Sequence, residues 1–168
     1  MDLSKYIDRA KRNGFELWKL NFILGRGIPF NKPHGIKIHR IGDYSVSTII
    51  PYKRKNFNHI KGIHACGLAT CSEFASGFLL LTNLDVKVYR LIMEKIEMQY
   101  HYQAKSHCIA KAELSELWFN TEIIKPLQSA DKISVTNTVN TYDSENNHIC
   151  TAKVTWQIKN WNQVKTKV

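Results

Sequence analysis

Hydrophobic and polar positions change rhythm several times along the chain. Leu3, Tyr6, Ile7 and Ala10 recur at helical spacing, with Asp2 or Ser4 as candidate cap and a break at Asn13-Gly14. Phe15 to Leu24 is dense in large apolar residues and reads as a second helical piece; together the two read as helix covering the flank of the domain, the alternative being a basic amphipathic membrane anchor. Gly25 to Gly35, with Pro29 and Pro33, is punctuation. Two short strands are predicted over Ile36–Ile41 and Tyr44–Ile50, reversed tightly at Gly42-Asp43. Beyond residue 85 the period is mostly two. Val86 to Tyr102 alternates but changes its apolar parity midway, which predicts a bulge or a bend. Cys108, Ala110, Ala112 and Leu114 share one face of a further strand, and Trp118 to Asp131 reads as a connection containing Pro126. Ile133, Val135 and Val139 then face one way and Ser134, Thr136, Thr138 and Asn140 the other. The polar turn 143–147 leads to a last strand burying Cys150, Ala152, Val154, Trp156 and Ile158.

Between the two groups of strands lies a stretch of different character, residues 58–81. It begins as a basic polar loop, passes through Gly62 and His64, and becomes an apolar segment of helical length whose one charged residue is Glu73. An isolated carboxylate in an apolar helix is costly to desolvate, so it marks a partner or a use. At 3.6 residues per turn, Cys66, Ala69, Glu73, Ser76 and Leu80 share one face, and Leu68, Cys71, Ala75 and Leu79 the other. Neither is a solvent face. The many small residues, Gly67, Ala69, Ser72, Ala75, Ser76 and Gly77, let other backbone approach closely, as a helix wrapped by a sheet requires.

Composition narrows the class. With 168 residues, 43% of them hydrophobic, the chain is long enough for one domain with a sizeable core. No apolar run is expected to span a bilayer, and residues 1–5 lack the order of a signal peptide, so a cytoplasmic location without integral membrane association is expected. Cys66, Cys71, Cys108 and Cys150 have no zinc-like spacing and read as reduced, packed thiols. The seven histidines show no metal-like pattern, and no metal is expected. The net charge of +10 favours anionic partners in general, and it clusters at Lys53, Arg54, Lys55 and Lys61, just before the central helix. Nucleic acid is ranked last among such partners, because charge alone supports it.

The predicted order is an α+β arrangement: a helical extension and linker over residues 1–35, a domain over 36–160, and a basic tail over 161–168. One antiparallel sheet wrapped around one central helix has the shape of a hotdog fold. Its exposed sheet edges predict a dimer or tetramer.

The loop and helix resemble hotdog thioesterases of the phenylacetate-degradation type, especially a divergent bacterial branch long catalogued as a domain of unknown function. The likeness rests on Asn58, Gly62, His64 and Glu73, with the His six positions after the amide and the acid nine after the His, and covers roughly Ile36 to Ile158. This sequence departs from the family at Ala65-Cys66, where a pair of glycines is usual, with Gly67 following. The resemblance implies hydrolysis of acyl-coenzyme A or acyl-carrier thioesters, with coenzyme A as part of the substrate and no cofactor. It implies the Ala65 N–H as oxyanion donor, Glu73 as general base or nucleophile, and Asn58 and His64 as groups that position water and carbonyl. Gly62, Cys66, Ser76 and Gly77 would line the substrate, and Lys53, Arg54, Lys55, Lys61, Lys87 or Arg90 would meet the coenzyme A phosphates. It also implies that acid and donor come from different subunits. A non-catalytic acyl-thioester-binding protein is the alternative, made credible by Cys66. A hotdog dehydratase is disfavoured by the short His64-to-Glu73 gap without proline.

Overall fold

The structure, a computed structural model, describes residues 3–164. Asp2 and the end of the basic tail therefore lie outside the described residues, and Ser4 falls inside the first turn of α1 (Leu3–Arg12). Asn13 separates α1 from α2 (Gly14–Gly27), its side chain accepting the Phe15 N–H and so capping the second helix. A single turn, α3 (Asn31–His34), ends at Gly35 in the left-handed conformation, with φ of 68°.

Six antiparallel strands follow in the order β1-β2-β4-β5-β6-β3 across the sheet. They are β1 (Lys37–Ile41), β2 (Ser45–Ile50), β3 (Tyr89–Tyr100), β4 (Cys108–Glu113), β5 (Lys132–Asp143) and β6 (His148–Asn160). The Gly42 turn closes β1 on β2, Gly42 N–H donating to the Ser45 carbonyl at 2.8 Å. The parity change in the long strand is a bulge: β3 slips register against β6 between Met93 and Lys95. Cys108, Ala110 and Ala112 are buried on β4, and Cys150, Ala152, Val154, Trp156 and Ile158 on β6. The stretch expected as a connection is helical. Ser115 accepts the Trp118 N–H to start α5 (Glu116–Phe119), which runs through a π turn (Asn120–Ile124) into α6 (Lys125–Leu127). Phe119 and Ile123, one turn apart, are its buried anchors.

The sheet wraps α4 (Ala65–Asn83), giving the hotdog fold. By length and composition α4 could cross a bilayer, which corrects the expectation that no apolar run reaches that length. Here it is the core helix, with ten of its 19 residues buried. Small residues let it approach the sheet: a Cβ on Gly77 would lie 2.7 Å from the Trp156 ring, and one on Gly67 2.9 Å from Ile50 Cδ1. Polar groups stitch the two layers. The Thr48 hydroxyl donates to the Cys71 carbonyl at 2.7 Å, Ser72 pairs with Thr141 at 3.1 Å, and Ser76 donates to Asn137 Oδ1 while accepting the Trp156 indole N–H at 2.7 Å. Asn137 and Thr141 are thus polar residues on the buried face of β5.

Candidate active site

The polar loop before α4 is held by two asparagines. Asn56, buried, donates from Nδ2 to the Pro51 and His34 carbonyls, and its own carbonyl accepts the His64 N–H at 2.7 Å. Asn58 accepts the Gly62 N–H at 2.9 Å and the Ile60 N–H at 3.1 Å through Oδ1, while its own N–H donates to the Gly62 carbonyl at 2.8 Å. The Asn58 side-chain oxygen is therefore spent on closing the loop. Gly62 is packed, since a Cβ there would meet Gln103 at 3.1 Å and the Ala104 carbonyl at 3.3 Å. Lys61 takes a positive φ of 58° to complete the turn, and the Tyr52 hydroxyl donates to its carbonyl at 2.7 Å.

This loop delivers His64 to the N-cap of α4. His64 has extended backbone angles, and its Nδ1 accepts the Cys66 N–H at 3.1 Å. With Nδ1 as acceptor, a neutral ring carries its proton on Nε2, so His64 presents an outward N–H, and a doubly protonated ring would lose the cap. The Gly67 and Leu68 N–H groups both donate to the His64 carbonyl. Of the first turn, the Ala65 N–H is left without a partner among the described residues, exposed at the positive end of the helix dipole. The Tyr100 hydroxyl, at the end of β3, donates to the Ala65 carbonyl at 3.0 Å and ties the sheet edge to this turn. Burial pushes the Tyr100 phenol up to about 12, so it stays a donor.

Glu73 lies two turns further along α4. It has no hydrogen-bond or ion-pair partner among the described residues, and burial pushes its carboxyl above the ordinary carboxylate range. Cys66, Ala69, Thr70 and Glu73 form the partly exposed stripe of the helix. Eight residues at 1.5 Å rise separate Ala65 from Glu73, about 12 Å along one helix axis. Beside the stripe, α4 packs most closely on β2 and β4 and less on the edge strand β3. Met93 and Tyr100, whose register partners Trp156 and Cys150 face inward, are left 41% and 45% exposed.

The remaining candidates divide. Cys66 is exposed on the first turn. Ser76, expected near the carboxylate, is fully buried with its hydroxyl committed to Asn137 and Trp156, and Gly77 is packed under the Trp156 ring. The helix brings Ser76 one turn from Glu73, but the sheet side of that turn carries better partners. Arg54, Lys55, Lys61 and Lys87 are exposed, Lys53 is half-buried, and none forms a salt bridge among the described residues. Arg90, on the edge strand, is half-buried with Nε unpartnered. Tyr100 and Asn56 were not marked by sequence pattern, because each acts on a backbone carbonyl far away in the chain. Cavities of about 540 Å³ on the outer sheet face, lined by Lys111, Thr138, Asn140 and Tyr142, and about 670 Å³ beside α1 both lie away from Glu73.

A family model described as a domain of unknown function, DUF4442, matches residues 18–158. No curated protein matches the chain in sequence. Among solved structures, a Pseudomonas aeruginosa protein of unknown function, described as a probable thioesterase, is 18% identical over 83% of this chain and 93% of its own, with a TM-score of 0.75. A Haemophilus influenzae thioesterase is 14% identical over 89% of this chain and 94% of its own, at a TM-score of 0.70. A Staphylococcus aureus thioesterase is 14% identical over 78% of this chain and 98% of its own, at 0.65. That protein has been solved with a glutamine, and separately with a glutamate fifteen positions later, replaced by alanine. At these identities the likeness shows the fold.

Proposed function

The chain belongs to the DUF4442 family, and from that premise we propose that it hydrolyses acyl thioesters, with Glu73 and the Ala65 N–H as its working groups. The observation that carries this is a largely desolvated carboxylate on the same helix as an N-terminal N–H, neither with a partner among the described residues. Fold likeness to proteins described as thioesterases supports it. So does spacing: Asn58 and Glu73 are fifteen positions apart, as are the glutamine and glutamate replaced in the Staphylococcus aureus protein.

In this reading the thioester carbonyl oxygen accepts the Ala65 N–H, aided by the helix dipole. Glu73 takes a proton from water, and the resulting hydroxide adds to the carbonyl carbon. The tetrahedral oxyanion then collapses, the C–S bond breaks, and the thiolate leaves, taking the proton that Glu73 held. A carboxylate raised by burial is a better base than an ordinary one, which suits this role. The separation of about 12 Å within one helix is too long for one carbonyl and one water. The donor of one copy therefore acts with the carboxylate of another, and the half-exposed edge strand β3 is the seam along which two copies meet. His64 offers its Nε2–H beside the carbonyl, and the free cations of the 53–61 loop meet coenzyme A phosphates.

The second reading is an acyl-thioester-binding protein without turnover, favoured by the exposed Cys66 side chain where the family resemblance expects glycine. Thiol release from short, medium, long and aromatic acyl-coenzyme A, compared between wild type and Glu73→Ala, separates the two. Turnover lost in the variant supports hydrolysis. Binding of the same thioesters by both proteins, without thiol release from either, supports the second reading.

A further inference from the structure

Helix α2 is apolar on both faces, yet the domain covers only one of them. Leu20 is fully buried, Leu17 and Leu24 pack beside it, and the Asn21 side chain brackets the backbone of Ile38 on β1 from both its N–H and its carbonyl. On the opposite face Phe15, Trp18 and Phe22 stand 61%, 60% and 53% exposed at positions i, i+3 and i+7. Their rings form a continuous ladder, with centroids 5.8 and 5.9 Å apart and planes inclined by 7° and 20°. At ~200 Å² per ring this is an apolar patch on the order of 350 Å², the size at which exposed patches are often functional. A helix hydrophobic all round is normally buried.

The charges around the ladder restrict what covers it. Lys19 Nζ sits 4.4 Å over the Phe15 ring, and the Arg26 guanidinium 3.8 Å over Phe22. Arg9 and Arg12 lie in the last turn of the neighbouring α1, whose Lys11 is paired with Asp43 at 3.1 Å. Residues 3–40 carry nine Lys and Arg against the two acids Asp8 and Glu16, and Glu16 is tied to Lys19 at 2.9 Å. A two-fold contact with a second copy on this face would lay cation on cation. A convex ladder of stacked rings has no groove for a partner's side chain. An anionic bilayer meets both features, since aromatic rings sit at the headgroup–acyl boundary while the cations beside them reach lipid phosphates.

We propose that the α1–α2 face docks the protein peripherally on anionic lipid bilayers, with Phe15, Trp18 and Phe22 inserted at the interface and Arg12, Lys19 and Arg26 on the phosphates. This does not rest on the thioester reading. The test is co-sedimentation of the full chain with mixed phosphatidylcholine–phosphatidylglycerol vesicles and with pure phosphatidylcholine vesicles. Wild type should sediment with the mixed vesicles, far less with the neutral ones, and lose binding as salt is raised. Phe15→Ser/Trp18→Ser/Phe22→Ser should lower partitioning by roughly tenfold or more. Its circular dichroism and native oligomeric size should stay unchanged, because the replaced rings face solvent. Arg12→Glu/Arg26→Glu, which keeps the rings, should lose the preference for anionic lipid. The proposal is overturned if wild type binds neither vesicle, or if the ring variant binds as well as wild type. It is overturned equally if the ring variant changes the oligomeric size, which would make the stripe a contact between copies.

Discussion

Ser76→Ala is expected to damage the fold and spare the chemistry, and the size of the damage follows from three side chains. Ser76 is completely buried between α4 and the sheet, accepting the Trp156 indole N–H at 2.7 Å and donating to Asn137 Oδ1. Alanine is nearly isosteric, so no cavity contributes. What changes is that a buried indole N–H and a buried amide oxygen lose their partner together, and Asn137 Nδ2 already has none among the described residues. An orphaned buried polar group costs about 1–3 kcal/mol, so two cost roughly 2–6 kcal/mol, offset by about 1 kcal/mol for no longer burying a hydroxyl. A net loss of about 1–5 kcal/mol lowers Tm by roughly 2–20 °C for a chain of this size. Urea unfolding of Ser76→Ala, Trp156→Phe and the double variant measures it directly. The double variant should recover a coupling of about 1–3 kcal/mol, because phenylalanine removes the stranded donor. A loss under about 0.5 kcal/mol for Ser76→Ala, or strict additivity, would refute the reasoning. Thiol release per folded molecule should match wild type, since the hydroxyl does not face Glu73.

Glu73→Gln should abolish thiol release while raising Tm at neutral pH. Burial raises the folded carboxyl, so the folded state holds the proton more tightly and native stability falls as pH rises through the folded pKa. The variant lacks that fall; its advantage over wild type should vanish below about pH 4, and identical pH profiles would refute the unpaired-carboxylate reading. Cys66 is the one exposed cysteine, whereas burial pushes Cys71 and Cys108 up to about 12 and raises Cys150. An aromatic disulfide reagent should therefore titrate one thiol in the native protein and four after unfolding. Ile92, 46% exposed on β3, is the position for testing the subunit seam. Ile92→Lys should lower the mass seen by light scattering and reduce turnover with it, while an unchanged oligomer would place the seam elsewhere.

Much of the architecture was legible because period carries it. Alternation of Cys108, Ala110 and Ala112, and of Cys150 through Ile158, anticipated the buried faces of β4 and β6, and the parity change within 86–102 anticipated a bulge in β3 without placing it. The helical segment 116–127 was not legible, since its anchors are only Phe119 and Ile123 and Pro126 reads as a break. Asn137 and Thr141 share the parity of Ile133, Val135 and Val139 and face the helix, where Ser76 and Ser72 offer them partners across the interior.

The sequence by itself determined that an apolar, small-residue helix with one carboxylate would lie under an antiparallel sheet, because side-chain period and residue size are local properties. Only the tertiary structure decided what each polar group does there. Asn58 closes the loop, His64 caps the helix, Ser76 turns to the sheet, and Glu73 and the Ala65 N–H remain without partners among the described residues. A hydrogen bond depends on which atoms distant parts of the chain bring within about 3 Å, and no spacing along a sequence encodes that.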